Sequence, residues 1–275
     1  MSPFGAGALN DVLEGFAKMN CIVLAAGYAT RLYPLTENFP KPLLEVGGKT
    51  IVDWLLDDLN RGGKIERCAV VSNAKFAEHF RQWRDAKQAS ETKFNAPIEI
   101  VDDGSTSNET RIGAVKDILF AMETLGWSGD TLVVAGDNVL SFSLNLFLDY
   151  FERKGKETPG ANAAMRYFEP SVEKLRKCGV LEIGADDRVL SMEEKPAEPK
   201  SHWCAPPFYC YAGLTCDKIR AALADGCGFD APGSLLAWTC KNEPTFAFET
   251  PGVRFDVGNL ESYQKIKAEY KGCDA

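Results

Sequence analysis

The sequence predicts an α/β fold: a mostly parallel, doubly wound mixed sheet flanked by helices, forming a single domain with a central cleft. Three observations carry this expectation. Short apolar runs alternate with amphipathic, helix-length stretches through the first half of the chain. Turn signals such as Gly62-Gly63 separate them. The 275 residues are enough to bury one large α/β core.

The elements follow in order. Residues 20–25 (NCIVLA) are a short apolar run that predicts a buried strand. A loop rich in Gly, Pro, Thr and Asn covers 26–42. Residues 50–61 have helical periodicity and stop at Gly62-Gly63. Strand 66–72, helix 74–87, strand 97–101, helix 113–125 and strand 131–135 come next. Such a β-α-β-α-β-α-β succession, with right-handed crossovers, builds a mostly parallel sheet.

The second half changes character. Residues 161–167 read as a strand, and 179–183 with 188–193 flank a Gly-Ala-Asp-Asp turn as a hairpin. Strand 208–211 precedes helices 216–223 and 234–240. Short strands 245–248 and 253–257 and a closing helix over 260–270 complete the chain. With no internal repeat and no linker, the two halves, 19–140 and 141–275, are expected to share one sheet with a cleft between them. Residues 1–18 form an N-terminal extension in which 9–18 predict a short helix.

Composition narrows the function. Hydrophobic residues at 45% and charged residues at 25% are globular proportions. A net charge of -8 without a basic run argues against a nucleic-acid partner. Nine cysteines without a CxxC pair and only two histidines, His79 and His202, argue against zinc. The scattered cysteines read as reduced core thiols of a cytoplasmic protein. No apolar run is long enough for a membrane span. Residues 1–18 carry Asp11 and Glu14 and lack a basic start, so they do not read as a signal peptide.

The most informative stretch is 24–46, LAAGYATRLYPLTENFPKPLLEV. It begins at the carboxyl end of a strand, where open α/β sheets place ligands. Gly27 permits a tight turn and a close backbone approach. Successive loop amides can form an anion-binding nest. Arg31 and Lys41 add cations, and Pro34, Pro40 and Pro42 stiffen the loop. Gly48-Lys49-Thr50 mimics a phosphate-binding GxxxxGKT loop, but Leu43 stands where that motif needs glycine.

These residues resemble the sugar-phosphate nucleotidylyltransferases, such as glucose-1-phosphate thymidylyltransferase. The resemblance extends over about 19–270 and rests on five motifs in the family's order: LAAG-x-x-TRL, PKP, GDN, EEKP and FDVG. One departure is Ala29, where the family commonly has glycine. The resemblance implies a Rossmann-like, GT-A-like fold, with 19–140 binding the nucleotide and 141–275 the acceptor. It implies an enzyme that joins NMP from an NTP to a sugar 1-phosphate and releases pyrophosphate.

Site residues follow from the same resemblance. Arg31, Lys41 and Asp137 are implied to be catalytic. Leu24, Ala25, Ala26, Gly27, Thr30, Glu109 and Gly113 are implied to bind the nucleotide. Asn138, Gly179, Glu194, Lys195 and Tyr209 are implied to bind the acceptor. Asp137 and Asp256 are implied to hold Mg²⁺, and hard carboxylate oxygens beside phosphate suit that ion. The bland alternative is that Asp137 caps a turn and Asp256 caps the helix after it.

Other readings stay open. The acceptor could instead be phosphocholine or a related amino alcohol, caged by Trp203, Tyr209 and Tyr211 with Glu193 and Glu194. A glycosyltransferase would use an Asp-x-Asp motif, which Asp102-Asp103 does not form. A non-catalytic nucleotide-binding relative would be expected to have lost some of Arg31, Lys41, Asp137 and Asp256. The partners expected are an NTP and a phosphorylated small molecule, with no nucleic acid or membrane, in a monomer or homodimer.

Overall fold

The apolar run after Lys18 becomes the central strand, β1 (Met19–Leu24), almost wholly buried. The computed structural model describes residues 18–273. The helix expected over 9–18 falls outside them, save for Lys18, which lies in no regular element.

The remaining strands of the first half are β2 (Glu45–Val46), β3 (Lys49–Thr50), β4 (Ile65–Ser72), β5 (Ile98–Asp102), β6 (Gly129–Ala135) and β7 (Asn138–Leu140). Those of the second half are β8 (Asn162–Phe168), β9 (Gly179–Ile183), β10 (Val189–Glu194), β11 (Trp203–Ala205), β12 (Phe208–Leu214), β13 (Thr245–Glu249) and β14 (Arg254–Asp256). The helices are α1 (Ile51–Gly62), α2 (Ala77–Ala89), α3 (Ala114–Leu125), α4 (Asn145–Glu157), α5 (Val172–Leu175), α6 (Cys216–Ala224), α7 (Gly233–Asn242) and α8 (Leu260–Glu269).

One ten-stranded sheet runs β10-β9-β11-β8-β12-β6-β1-β4-β5, with β13 also pairing β8. Strands β6, β1, β4 and β5 are parallel. β12 turns antiparallel to β6 and carries the sheet into the second half. The expected fold class, including one sheet shared by both halves, is what the chain forms.

Helices cover both faces, which is why the central strands are continuous apolar runs. Alternation sends Cys21 and Val23 toward α1, α2 and α4, and Ile22 toward α3, α6 and α7. Helix α1 starts where Thr50 accepts a hydrogen bond from Asp53 N at 3.1 Å and ends at Gly63 with φ 64°. Both signals are readable in sequence.

Besides the short elements β2, β3 and α5, three features differ from expectation. Helix α4 forms over residues left unassigned, although Phe147, Leu148 and Phe151 carry helical spacing and are buried. The three-residue strands β7 and β11 exist through their partners, β14 and β8–β9. Cys178 and Cys204 are joined as a disulfide, which corrects the reading of every cysteine as a thiol. Cys178 immediately precedes β9, which pairs with the β11 strand of Cys204, so the pair joins residues 26 apart in sequence and spacing gave no hint of it. Among the described residues, no helix is long and apolar enough to cross a membrane.

Candidate active site

The site forms where three strands end. Leu24 on β1 pairs with Ala135 on β6, and Gly136 N donates to Leu24 O at 3.0 Å. The first loop therefore leaves the sheet directly beside Asp137. Asn73 anchors the loop by donating from Nδ2 to Ala26 O at 3.0 Å. Tyr28 anchors it from the other side, its hydroxyl donating to Ser105 O at 3.0 Å.

Ala29 adopts φ 47°, ψ 41°, the left-handed conformation that a glycine takes without strain. Thr36 supports it by donating from Oγ1 to Ala29 O at 2.8 Å. The loop keeps this turn even with a side chain there, and Arg31 follows at the cleft.

Pro40 and Pro42 flank Lys41 in a short 3₁₀ turn, Lys41–Leu43. Lys41 is 8% exposed. Its Nζ lies 2.6 Å from Asp137 Oδ2 and 3.9 Å from Asp256 Oδ1. β14 pairs antiparallel with β7 and sets Asp256 opposite Asn138, so both carboxylates face one point. Neither is occupied in capping α8: Asn259 does that, accepting from Ser262 N at 2.8 Å.

Two cavities meet at this cluster. The first, about 360 Å³, is lined by Leu24, Ala25, Gly27, Arg31, Lys41, Asp137 and Asp256 among others. The second, about 450 Å³, shares Leu24, Arg31, Asp137 and Asp256 and adds Asn138, Gly179, Glu194, Lys195 and Tyr209. All five residues expected at the acceptor thus line one cavity. Ala26, Thr30, Glu109 and Gly113 line neither. Glu109 is exposed on the turn Asn108–Thr110, and Gly113 packs against Phe229.

Glu194 stands at the floor of the second cavity. Burial pushes its carboxyl above the usual range; Lys195 opposes this and Asp230 adds to it. Burial first, then the Glu194 charge, also raises the Tyr209 hydroxyl. Two glycines make room for the Met192 methyl, which a Cβ on either would overlap, and for the carboxylate beside it. A Cβ on Gly179 would lie 3.3 Å from Glu194 Oε2, and one on Gly233 only 2.6 Å from it and 3.2 Å from the Tyr209 hydroxyl.

The cage expected of Trp203, Tyr209 and Tyr211 does not assemble around this cavity. Tyr211 is 1% exposed in the core, Trp203 stacks under the Arg166 guanidinium at 4.5 Å, and neither lines the cavity. Glu193 is exposed and points away from Glu194 by strand alternation.

Sequence reasoning missed Arg111, which lines both cavities, and Lys177, Asp230, Gly233 and Arg254, which line the second. Arg111 pairs with Asp230 at 3.5 Å across the cleft. These contacts join residues far apart in sequence and leave no local spacing signal. Also missed was a carboxyl pair beneath the loop that precedes α3. Asp117, in the first turn of α3, is 6% exposed. Asp103 Oδ1 accepts from Ser105 N and Oγ, each at 2.7 Å. Asp117 Oδ1 and Asp103 Oδ2 are both buried without another hydrogen-bond partner. Burial, then the Asp103 charge and the hydrogen bond to Asp103, push the Asp117 carboxyl up to about 7, with Arg111 opposing.

The chain is thus an α/β protein with a cation-bearing loop and two converging carboxylates at its strand ends, the edge at which open α/β sheets place ligands. The family model for nucleotidyl transferases matches residues 20–272, and the chain belongs to that family. It is 33% identical to the glucose-1-phosphate thymidylyltransferase of Mycolicibacterium smegmatis over 205 residues, 74% of this chain and 64% of that protein. It is 25% identical to the glucose-1-phosphate adenylyltransferase of Thermosipho africanus over 258 residues, 90% of this chain and 60% of that protein. The chain thus spans less than two thirds of the length of these curated relatives. A solved UDP-glucose pyrophosphorylase complexed with UDP-glucose superposes with a TM-score of 0.76 at 19% identity, covering 92% of this chain and 98% of that one. At that identity the likeness speaks for the fold.

Proposed function

We propose that this chain transfers the nucleotidyl group of an NTP to a sugar 1-phosphate, releasing pyrophosphate. The observation that carries this reading is the placement of Lys41 between Asp137 and Asp256 where the two cavities meet. Relatives named for glucose 1-phosphate support the acceptor class. Trp203 and Tyr211, which would have completed a cage for a quaternary ammonium, stay out of the acceptor cavity.

The reacting phosphate monoester is already ionised at neutral pH, so no general base is needed. The task is to hold two anions in line and to neutralise the charge that develops. Arg31 is assigned to the leaving pyrophosphate. Lys41 is assigned to the α-phosphate and the attacking phosphate, since its ammonium has three donors and can reach both. Lys195 is assigned to the acceptor phosphate and Glu194 to acceptor hydroxyls. Ala25 and Gly27 lend the first loop's backbone to the nucleotide; the base is assigned to the segment 109–114, whose Arg111 and Ala114 reach the cavities while Glu109 and Gly113 do not.

The donor set at the junction suits Mg²⁺. Two carboxylates with hard oxygens converge on one cation, Lys41, and leave room for phosphate oxygens and water. Asp137 and Asp256 would hold the ion, which would screen the negative charge of the nucleotide phosphates.

The test is pyrophosphate release in Mg²⁺ for ATP, CTP, GTP, UTP and dTTP, each paired with glucose, mannose, heptose and N-acetylglucosamine 1-phosphates, phosphocholine and 2-aminoethylphosphonate. One sugar 1-phosphate pairing should dominate, and Asp137→Ala should cut it by roughly 10²–10³-fold. Turnover confined to phosphocholine or aminoethylphosphonate would sink the acceptor class. No release from any pairing would sink the reaction.

A further inference from the structure

Arg254 lies outside the FDVG motif, yet it touches two members of the site. It sits on β14 two residues before Asp256, so both side chains project from one face of the strand. Arg254 Nη1 donates to Asn138 Oδ1 at 2.5 Å and stands 3.9 Å from Asp256 Oδ2. Asn138 in turn donates from Nδ2 to Asp137 Oδ1 at 2.6 Å.

This arrangement gives Asn138 a specific task. An amide has one donor end and one acceptor end. Asn138 is 3% exposed, and its two ends are held between a guanidinium and a carboxylate. Turning the amide over would set its N–H groups against the guanidinium donors and its oxygen against the carboxylate. Arg254 therefore fixes which way Asn138 faces, and Asn138 fixes one oxygen of Asp137. Lys41 takes the other oxygen of Asp137 and faces Asp256. The contacts close a ring: Lys41, Asp137, Asn138, Arg254, Asp256 and back to Lys41.

We infer that Arg254 is a positioning residue for the cation-binding carboxylates, acting on Asp137 through Asn138 and on Asp256 directly. The inference rests on the reading that Asp137 and Asp256 hold a divalent cation. The competing use of Arg254 is direct contact with the acceptor, because it lines that cavity. Its side chain is only 18% exposed, and the guanidinium lies 5.4 Å from the Tyr167 ring centroid. The group faces inward, toward its neighbours.

The experiment compares the wild type with Arg254→Gln, Arg254→Lys, Asn138→Ala, the Arg254→Gln/Asn138→Ala double variant and Asp137→Ala. Mn²⁺ is the probe, and its binding is read from the loss of the free-ion electron paramagnetic resonance signal. Circular dichroism checks that each variant is folded. Arg254→Gln should weaken Mn²⁺ binding roughly 10- to 100-fold. Arg254→Lys should recover part of that loss. The double variant should bind within about threefold of the weaker single variant, as expected for residues acting in series. In Arg254→Gln the acceptor KM should stay unchanged while the Mg²⁺ concentration needed for half-maximal turnover rises.

Unchanged Mn²⁺ binding in Arg254→Gln with a raised acceptor KM would overturn the inference and make Arg254 an acceptor contact. Losses that multiply in the double variant would overturn the route through Asn138. If Asp137→Ala abolishes Mn²⁺ binding while Arg254→Gln does not weaken it, the inference fails and the metal reading stands. If the wild type binds no Mn²⁺, both fail.

Discussion

Replacing Asp117 with Asn should stabilise the protein, and the gain should depend on pH in a calculable way. The Asp117 carboxyl rises from an ordinary 3.8 to about 7 in the folded protein, chiefly through burial and then through the Asp103 charge. The folded state therefore holds a proton that the unfolded chain releases near pH 4. Between those values the folded state binds more protons, so the wild type loses stability as pH rises. The interval is about 3 units, each worth about 1.4 kcal/mol, or about 4 kcal/mol in total. Below 3.8 Asp117 is neutral in both states and costs nothing. Above about 7 it is ionised in both states, and the loss levels off.

The Asp117→Asn side chain never ionises, and it can turn an N–H toward the unpartnered oxygen of Asp103. The variant should therefore match the wild type within about 1 kcal/mol near pH 3.5 and exceed it by about 4 kcal/mol at pH 8. Urea unfolding followed by circular dichroism from pH 3.5 to 9 measures this directly. Titrating groups that do not touch Asp117 cancel in the difference between the two proteins, which leaves Asp117 and its coupled neighbour Asp103 as its source. A difference that stays flat across the range, or a variant less stable than the wild type at pH 8, would refute the reasoning. Either result would mean that Asp117 is ionised at neutral pH and paired with a group such as Arg111.

Other perturbations test the cleft. Lys41→Ala should lower pyrophosphate release by roughly 10²–10³-fold, yet tighten Mn²⁺ binding, because it removes the cation now lying between two carboxylates. Gly233→Ala should raise the acceptor KM while leaving the NTP KM unchanged, because its Cβ would press on Met192 Cε and the Glu194 carboxylate and displace both. Ala29→Gly should raise the melting temperature by up to a few degrees, since left-handed backbone costs alanine about 1 kcal/mol; an unchanged or lower value would mean that the loop carries no such strain.

What the sequence made legible and what it hid divide along a physical line. Features set by near neighbours were readable: Thr50 and Gly63 bound α1, and apolar runs marked β1, β4 and β6. The loop of Arg31 and Lys41 and the strand ends at Asp137 and Asp256 were readable as motifs. Features set by distant partners were not. β7 is three residues long and exists because β14 pairs with it. Arg254 meets Asn138 across 116 positions of chain. Arg111 meets Asp230 only because α3 and the segment before α7 pack together. Helix α4 is the exception, since the helical spacing of Phe147, Leu148 and Phe151 is local.

The charges lining the cleft bear on why a divalent ion belongs in the proposed reaction. The chain carries a net charge of -8, yet Arg31, Lys41, Arg111, Lys177, Lys195 and Arg254 all line the two cavities. Against these six cations stand four carboxylates, on Asp137, Glu194, Asp230 and Asp256. The cleft alone thus carries an excess of two positive charges with Glu194 ionised. A fully ionised NTP brings about four negative charges and a phosphate monoester about two more, since phosphates of this kind ionise near pH 6. The cations of the cleft therefore cannot balance the NTP by themselves, but one divalent ion supplies the remaining two charges. With that ion in place the NTP is matched and only the two charges of the phosphate monoester stay in excess, and Asp137 and Asp256 become a reason for the ion to settle at the junction of the cavities. On this accounting Lys41 serves first as a placeholder for the cation and then as a donor to the phosphates, and so its loss should move metal affinity and turnover in opposite directions.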